Sequence, residues 1–570
     1  MENVIKDRTL GANVSARDDV ASDKHPPGLY ALFGTEMWER FSFYSMLALF
    51  TLYLRDPVEG FGWTAAQATT LYANYLMFVY ASPLIGGFIA DRFTGYRKAV
   101  MIGGFFFMAG HGLLSIPALW AVYLALTCLV IGNGFFKPNV STMVGNLYPE
   151  GSHLKDRAYN IFYMGINIGA FLAPIVMEIV KSYAGFHAAF AVAAFGMLIS
   201  VGILWRYKSI VEDPNALAER QRSRNEASEK TNTAATSVDA PPSGVSHQES
   251  DERGARSASQ ARQDLMNTVP NWKRVVALCV IFAIVIVFWM VFHQNGSTLT
   301  YWADDNTDWR VSGTISNSIN AFWVVVLTFP LIGLWSYLNK RGKEPSTPTK
   351  MAIGMTLTGL SFLVLYYAAT LGENQAPNAQ QLATGEFRIN ERVVTNLGAQ
   401  GVPQDVLDKI VAAKDADGKN LIYGVKFAPK EDAATKQMIS GEQQLMTAIN
   451  TVAPGQAAQY RDAIAQRSHL FRLSPFWLIL AYAIVTLGEL MLSPMGLSLV
   501  SKVAPINLRG LLMGGWFVAT AIGNKLTQIG VYWDIWLQST FFLTLAAMAL
   551  VMAVVLFLLL KPLKRAMPGV

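Results

Sequence analysis

Charged residues are scarce in this sequence. They make up 15% of its 570 residues, whereas soluble domains carry about 25%. Hydrophobic residues make up 52% and the mean hydropathy is +0.29, so the composition indicates a membrane protein that crosses the bilayer many times. The net charge of +6 does not indicate nucleic-acid binding, because the Lys and Arg residues cluster in short connections between apolar runs, as membrane topology requires.

Cysteine is almost absent as well. Cys128 and Cys279 both lie inside apolar runs, so the sequence offers neither a disulfide framework nor a cysteine metal site. It also lacks the histidine–carboxylate cluster or activated nucleophile that a membrane enzyme needs. We therefore expect no enzyme activity, no metal and no cofactor. No apolar run precedes residues 29–54, so we expect the first spanning helix, and not a cleaved signal, to direct membrane insertion.

Twelve apolar runs are long enough to cross a bilayer as helices. They lie near 29–54, 67–91, 98–117, 119–147, 158–181, 186–206, 273–301, 312–338, 351–371, 473–499, 508–532 and 537–560. Alternate connections such as "DRFTGYRK" and "NKRGKEPSTPTK" are rich in Lys and Arg, whereas "RDPVEGFGW" and "WDIW" are not. Since basic loops stay in the cytoplasm, both termini are predicted to be cytoplasmic.

The twelve helices are predicted to form two bundles of six, which is typical of transporters with a site between the bundles. Residues 1–28 are expected to be a cytoplasmic tail, 29–206 the N-terminal bundle and 272–570 the C-terminal bundle. The linker 207–271 has almost no large apolar residues and is predicted to be largely disordered. A polar insert, 372–471, is predicted to form a small helical extracytoplasmic domain, because segments such as "PQDVLDKIVAAK" are periodic.

A few ionisable residues lie inside the apolar runs. Each costs about 2.5 to 3.5 kcal/mol near the middle of a membrane, so it normally faces a cavity and a partner. They lie on helices 1, 4, 7 and 10, which occupy equivalent places in repeat-built transporters: Glu36, Glu39, Arg40, Lys137, His293 and Glu489. This restricted distribution favours a functional role.

On helix 1, residues Glu36, Glu39, Arg40 and Tyr44 are three or four positions apart and share one helix face. Two acids beside one base leave one carboxylate unpaired, and low-dielectric surroundings favour the neutral form of such an acid. The spacing therefore predicts a proton carrier. The alternative is that Glu39 and Arg40 only bind helix 1 to a neighbouring helix.

Lys137 and Glu489 carry opposite charges in the two predicted bundles. Lys137 is followed by Pro138, and Glu489 is followed five residues later by Pro494. Proline bends a helix and is tolerated in membranes where the backbone lines a cavity. A positive group that faces a negative one across a cavity suits a zwitterionic substrate.

Five segments resemble signatures of one known family, the proton-dependent oligopeptide transporters (POT/PTR) of the major facilitator superfamily, in their bacterial branch. They are "EMWERFSFY", "GNGFFKPNVS", "IFYMGINIGAFLAP", "LGELMLSPMGLS" and "GGWFVATAIGNKL". The resemblance covers the twelve helices but not the N-terminal tail, the linker or the insert. It implies the major facilitator fold and proton-driven import of dipeptides and tripeptides across a bacterial inner membrane. We expect a monomer in the lipid bilayer.

The resemblance also implies roles for individual residues. The three charged residues of helix 1 match the E-x-x-E-R motif of proton coupling. Arg40 and Lys137 are implied to meet the peptide carboxylate, and Glu489 the peptide amino group. Further matches to residues that line the peptide site are Tyr44, Tyr80, Asn167, Asn320 and Trp516. For three of these, other interpretations stay open: Tyr80 is also explained by ordinary packing, Trp516 by a place in the core, and Asn167 by a hydrogen bond between helices.

Three positions depart from the family pattern. Phe43 stands where the motif usually has a tyrosine, so one peptide-contacting hydroxyl is missing. Leu47 and His293 stand where many bacterial members have an arginine and an acid that pair between helices 1 and 7. His293 is predicted to take part in gating or proton coupling, because imidazole changes charge between pH 5 and 8, with a helix 1 carboxylate as its expected partner. The alternative is a structural hydrogen bond across the bundle.

Two other functions compete with peptide transport. The same family contains carriers of nitrate and other small anions, but an acid such as Glu489 in the pocket disfavours an anionic substrate. A receptor function of residues 372–471 would leave the charges inside the helices unexplained.

Overall fold

The computed structural model describes residues 25–148, 154–211, 268–432, 435–505 and 508–568. Within these residues, long helices occur at each of the twelve predicted places. Their bounds are Pro27–Arg55 (helix 1), Ala65–Ile89 (helix 2), Tyr96–Leu114 (helix 3), Leu119–Asn146 (helix 4), Leu154–Arg206 (helices 5 and 6), Asn271–Asp305 (helix 7), Ser316–Lys340 (helix 8), Thr347–Glu373 (helix 9), Phe476–Val503 (helix 10), Arg509–Leu526 (helix 11) and Gln538–Ala566 (helix 12). The N-terminal tail and the linker fall almost entirely outside the described residues.

Two of the long helices are interrupted. The stretch Leu154–Arg206 breaks at Gly185, where φ is 81° and ψ is −179°, a backbone conformation that favours glycine. A Cβ at this position would also overlap the carboxylate of Glu59, which accepts a hydrogen bond of 2.6 Å from Phe186 N. Helix 7 consists of Asn271–Phe292, a 3₁₀ turn at His293–Gly296 and a last helix at Thr298–Asp305. The bend of helix 7 therefore lies at His293, a predicted site residue.

Eight described helical segments are long and apolar enough to cross a membrane by length and composition alone. One of them contains both helix 5 and helix 6. Helices 1, 3 and 11 are not among the eight, and helix 1 contains Glu36, Glu39 and Arg40. These charged residues are nevertheless buried inside the protein.

The helices pack in two halves around one continuous apolar core. In the first half, helix 1 packs on helices 5 and 6, and helix 3 packs on helix 4. In the second half, helix 9 packs on helices 10 and 12, and helix 7 on helix 11. Contacts between helices 2 and 11, and between helices 5 and 8, join the two halves. Pro138 and Pro494, which follow Lys137 and Glu489 in the sequence, lie inside helices 4 and 10.

The insert between helices 9 and 10 has its own small apolar core. Its described residues contain six short helices, Ala379–Thr384, Glu391–Ala399, Gln404–Ala412, Gly441–Val452, Gln456–Gln459 and Arg461–Ser468. The described part of the insert also has four two-residue strands in two antiparallel pairs, Phe387–Arg388 with Lys426–Phe427 and Lys430–Glu431 with Met438–Ile439. The sequence did not predict these strands, because two residues are too few to show alternation. The end of the helical bundle that bears this insert, together with the helix 1–2 loop, is called the insert end below.

Candidate functional site

The charged residues of helix 1 form one buried cluster. Glu36, Glu39 and Arg40 expose 2%, 0% and 3% of their surfaces. Both carboxylate oxygens of Glu39 accept hydrogen bonds from Arg40, one of them over 2.6 Å from Nη2. Arg40 Nε also lies 3.2 Å from Glu36 Oε1. Glu36 Oε2 is buried without a hydrogen-bond donor among the described residues, so Glu36 is the less fully paired of the two acids.

Phe43 takes part in this cluster, although the sequence marked it only as a missing hydroxyl. The Arg40 guanidinium carbon lies 4.8 Å from the centroid of the Phe43 ring, within the range of a cation–π interaction. Tyr44 packs edge-on against the same ring at 5.4 Å between centroids. Phe43 thus supports Arg40 from the side, and Tyr44 keeps a hydroxyl next to the cluster.

Lys137 of helix 4 rests on an aromatic ring. Its Nζ lies 4.7 Å from the centroid of the Tyr80 ring. The charges of Glu36, Glu39 and Arg40 act on Lys137, so the two charged groups of the first half belong to one site. Tyr80, for which the sequence left ordinary packing open, is therefore placed directly beside a predicted site residue.

His293, at the bend of helix 7, also contacts the Tyr80 ring. Its ring centroid is 5.6 Å from that of Tyr80 and 5.1 Å from that of Trp289, on which it stacks. Phe292 packs edge-on at 5.4 Å. His293 Nε2 is buried without a hydrogen-bond partner among the described residues. The expected helix 1 carboxylate is thus not its contact here, and the nearby charge that acts on it is Lys137.

Glu489 of helix 10 and Asn320 of helix 8 are joined directly. Asn320 Nδ2 donates a hydrogen bond of 3.0 Å to Glu489 Oε2 and one of 2.9 Å to Thr486 Oγ1. Glu489 is half-buried, and its charge acts on the hydroxyl groups of Tyr44 and Tyr80 in the first half. The acid of the second half therefore acts on two tyrosines of the first half, one of which, Tyr80, also contacts Lys137.

Two further candidates, Asn167 and Trp516, have contacts other than the charged residues. Asn167 Nδ2 donates a 2.9 Å hydrogen bond to Tyr163 O, one turn back on its own helix. Trp516 is 3% exposed and packs edge-on against Phe282, 6.2 Å between centroids. A Cβ at Gly496 would overlap the Trp516 ring. The surroundings of Trp516 match the alternative of a core aromatic.

The described residues hold no group of three His, Cys, Asp or Glu side chains placed to bind a metal ion. The site is instead an arrangement of opposite charges: Arg40 and Lys137 on one side, Glu489 on the other, with Tyr44 and Tyr80 close to both. Such an arrangement can bind a zwitterion by charge-assisted hydrogen bonds at both of its ends.

Comparison with known proteins gives consistent matches over most of the chain. The family model described as "POT family" matches residues 97–415 and 443–533. The chain is 25% identical to the di-/tripeptide transporter of Lactococcus lactis subsp. lactis over 96% of this chain and 97% of the relative. It is 26% identical to the peptide transporter YePEPT of Yersinia enterocolitica over 95% of each.

A solved structure is similar over the same extent. A crystal structure of the peptide transporter POT in complex with sulfate superimposes with a TM-score of 0.65 at 25% identity. The alignment covers 96% of this chain and 97% of that chain. The likeness therefore extends across both helical halves and is not confined to one of them.

Proposed function

The chain belongs to the POT family, and we propose that it imports dipeptides and tripeptides together with protons by alternating access. The family match and the structural likeness confirm the predicted fold class, an all-α membrane protein with the major facilitator fold. The relatives and structural neighbours are transporters, so the chain is a transporter and not an enzyme.

The arrangement of opposite charges is the observation that carries the proposed substrate class. Glu489 binds the peptide amino group, and Arg40 and Lys137 bind the carboxylate. The Asn320 hydrogen bond to Glu489 supports this assignment, because it holds one carboxylate oxygen and leaves the other to meet an ammonium group. A small anion would meet Glu489 as a like charge, which disfavours the anion carriers of the same family.

Tyr44, Tyr80, Asn167, Asn320 and Trp516 are proposed to line the peptide site. The first two have the strongest support, since the charge of Glu489 reaches both and Tyr80 carries Lys137. Trp516 has the weakest support, because its ring is enclosed by Phe282 and Gly496.

Proton coupling is assigned to Glu36, Glu39 and Arg40, with His293 as a further titrating group. Arg40 is shared by the two acids. If the peptide carboxylate draws Arg40 toward itself, the acids lose part of their counter-charge, and protonation compensates for that loss. Peptide binding and proton binding then favour each other.

The protein is proposed to reside as a monomer in a bacterial inner membrane with both termini in the cytoplasm. Residues 1–28 would then be the tail, 29–206 and 272–570 the two bundles and 207–271 the linker, and the 372–471 insert would lie outside the cytoplasm. The basic connections support this orientation, since "DRFTGYRK" and "NKRGKEPSTPTK" lie at the end opposite to the insert.

Uptake into proteoliposomes tests the proposed function. We expect a labelled dipeptide to accumulate when the outside is acidic and to equilibrate only when a protonophore removes the gradient. The same dipeptide with an acetylated amino group serves as the matched control and should be taken up poorly. Accumulation that ignored the proton gradient would contradict proton coupling, and equal uptake of the acetylated peptide would contradict the role of Glu489.

A further inference from the structure

Asp305, at the end of helix 7, contacts both the first half and the insert. It is 3% exposed. Its Oδ2 lies 3.7 Å from Nη2 of Arg55, the last residue of helix 1, and accepts a hydrogen bond from Arg388 of the insert. The Arg55 guanidinium carbon also lies 4.1 Å from the centroid of the Tyr301 ring on helix 7. One buried carboxylate thus joins three parts of the chain.

Asp534, just after helix 11, repeats this arrangement at a second point. It is 8% exposed. Its Oδ2 accepts a 3.1 Å hydrogen bond from Ala65 N, at the start of helix 2, and its Oδ1 accepts one of 3.3 Å from Asn390 Nδ2 of the insert. Both aspartates belong to the second half, and each contacts both the first half and the insert.

The insert also contacts the first half without an intermediary. Lys419 Nζ donates a 3.0 Å hydrogen bond to Val58 O, and Asn420 Nδ2 donates one of 3.3 Å to Gly62 O. Both acceptors lie in the loop between helices 1 and 2. The insert therefore covers the line along which the two halves meet at the insert end.

The contacts of the insert with the second half are stronger than those with the first. Lys426 Nζ lies 3.0 Å from Asp304 Oδ2 and 3.4 Å from Asp305 Oδ1 at the end of helix 7, and 3.0 Å from Glu386 Oε2 within the insert. Burial alone would lower the pKa of Lys426, but the neighbouring carboxylates Asp304, Asp305 and Glu386 outweigh it and raise this pKa, so the lysine stays charged. At the other side of the insert, Arg392 Nη1 donates a 2.6 Å hydrogen bond to Gln538 Oε1 of helix 12.

This difference decides which contact can open. If Arg55 leaves, Asp305 keeps Arg388 and Lys426 as partners, so no unpaired carboxylate is left in the second half. A buried ion pair that loses one partner normally leaves an uncompensated charge, which costs several kcal/mol of free energy. Here Arg388 and Lys426 of the insert stay beside Asp305 and compensate its charge. Arg55, at the end of helix 1 beside the helix 1–2 loop, would then move toward water. The contact with the first half is thus able to form and break, while the insert stays bound to the second half.

We propose that Asp305 and Asp534 are positioning residues of an outer gate, which is the contact between the two halves at the insert end. The insert covers this gate and moves with the second half. The proposal rests on the proposed transport function and deepens it. It gives the insert end a closing contact in place of the arginine–acid pair, which is lacking here because Leu47 and His293 occupy its positions. In the closed state the aspartates hold Arg55 and Ala65, and in the open state they remain bonded to Arg388 and Asn390.

Distances between spin labels test the gate without any transport assay, so failure of the gate and failure of the proposed function are distinguishable. Labels are attached at Val58 of the first half and Val411 of the insert, in full-length protein without Cys128 and Cys279, reconstituted in nanodiscs. A second label pair joins Val411 to Leu537 of the second half. We expect the first distance to have a short and a long population, and the second distance to have one.

Asp305→Asn and Asp534→Ala should increase the long population of the first distance. We expect the ratio of long to short to rise by about fivefold or more, the lower end of ordinary couplings between states. Arg55→Gln breaks the same contact from the first half and leaves the insert cluster intact, so it keeps the test valid if an aspartate variant does not fold. Asp405→Asn, which removes an exposed insert charge 3.6 Å from Lys409, is the matched control and should change neither distance.

Peptide exchange with equal pH on both sides gives a second readout. The maximal rate should change in the gate variants while the concentration for half-maximal exchange stays within about twofold, because the peptide site itself is untouched. The proposal is overturned if Arg55→Gln and both aspartate variants leave the first distance unchanged. It is equally overturned if the Val411–Leu537 distance has two populations, since the insert would then not move with the second half.

Discussion

Lys137 Nζ lies 4.7 Å from the centroid of the Tyr80 ring, so the lysine of the proposed site rests on an aromatic face. A cation–π contact of this kind is worth about 0.5 to 2 kcal/mol, whereas a hydrogen bond to a charged group contributes about 1.5 to 3 kcal/mol. An arriving peptide carboxylate is therefore able to draw Lys137 away from the ring. Without a bound peptide, the Tyr80 ring thus holds the charged side chain of Lys137.

Replacement of this lysine tests its contact with the carboxylate. Lys137→Gln should weaken dipeptide binding at least about tenfold, the effect of losing 1.4 kcal/mol. It should also abolish the preference for a free carboxylate over an amidated one, which competition for labelled dipeptide measures. Tyr80→Phe keeps the ring and is the control, with a change below about threefold. Continued discrimination against the amidated peptide by Lys137→Gln would refute the assignment.

A parallel test applies to the other end of the substrate. Glu489→Gln keeps the shape of the side chain and the possibility of a hydrogen bond with Asn320, but removes the charge that would meet the amino group. Binding of a free dipeptide should fall about tenfold or more, and an N-acetylated dipeptide should then compete as well as the free one. Asn320→Ala should have a smaller effect, because Glu489 keeps its charge. If Glu489→Gln still rejected the acetylated peptide, the amino group would be bound elsewhere.

The helix 1 acids are expected to separate coupling from binding. Glu36→Gln and Glu39→Gln each remove one titrating group, so accumulation driven by a proton gradient should vanish while exchange of peptide for peptide survives. Glu39→Gln should also weaken exchange, because Glu39 holds Arg40 through both oxygens. Glu36→Gln should leave exchange closer to wild type, since Glu36 has a single contact with Arg40. Accumulation that persisted in both variants would mean that the proton carrier lies elsewhere.

Local spacing was enough to predict part of this site. Positions three and four apart on helix 1 share a face, and the structure brings Glu36, Glu39 and Arg40 together as expected. Runs of apolar residues likewise located the long helices within a few residues of their ends, because a bilayer requires a minimum helix length.

Contacts between distant segments could not be predicted in this way. Arg388 meets Asp305 from 83 positions away, and Asn390 meets Asp534 across 144, so no periodicity connects them. The support of Arg40 by Phe43 was missed for a different reason: comparison with the family motif drew attention to the lost hydroxyl and not to the ring that remains.

His293 gives the last prediction. It stacks on Trp289, contacts Tyr80 and Phe292, and is subject to the charge of Lys137. Protonation of the imidazole would place a second cation beside Lys137 and weaken the rest position of that lysine on Tyr80. Lys137 would then turn more readily to the peptide carboxylate, so a protonated His293 favours peptide binding. Peptide affinity should therefore rise as the pH falls.

Peptide exchange at equal pH on both sides measures this effect without a driving gradient. In the wild type, the concentration for half-maximal exchange should fall as the pH is lowered, and His293→Gln should flatten this dependence more than it changes binding at the highest pH tested. His187→Gln is the matched control, because His187 lies at the start of helix 6 near Glu59 O, away from Tyr80 and Lys137. An unchanged pH profile in His293→Gln, or the same flattening in His187→Gln, would leave His293 as a packing residue of the helix 7 bend.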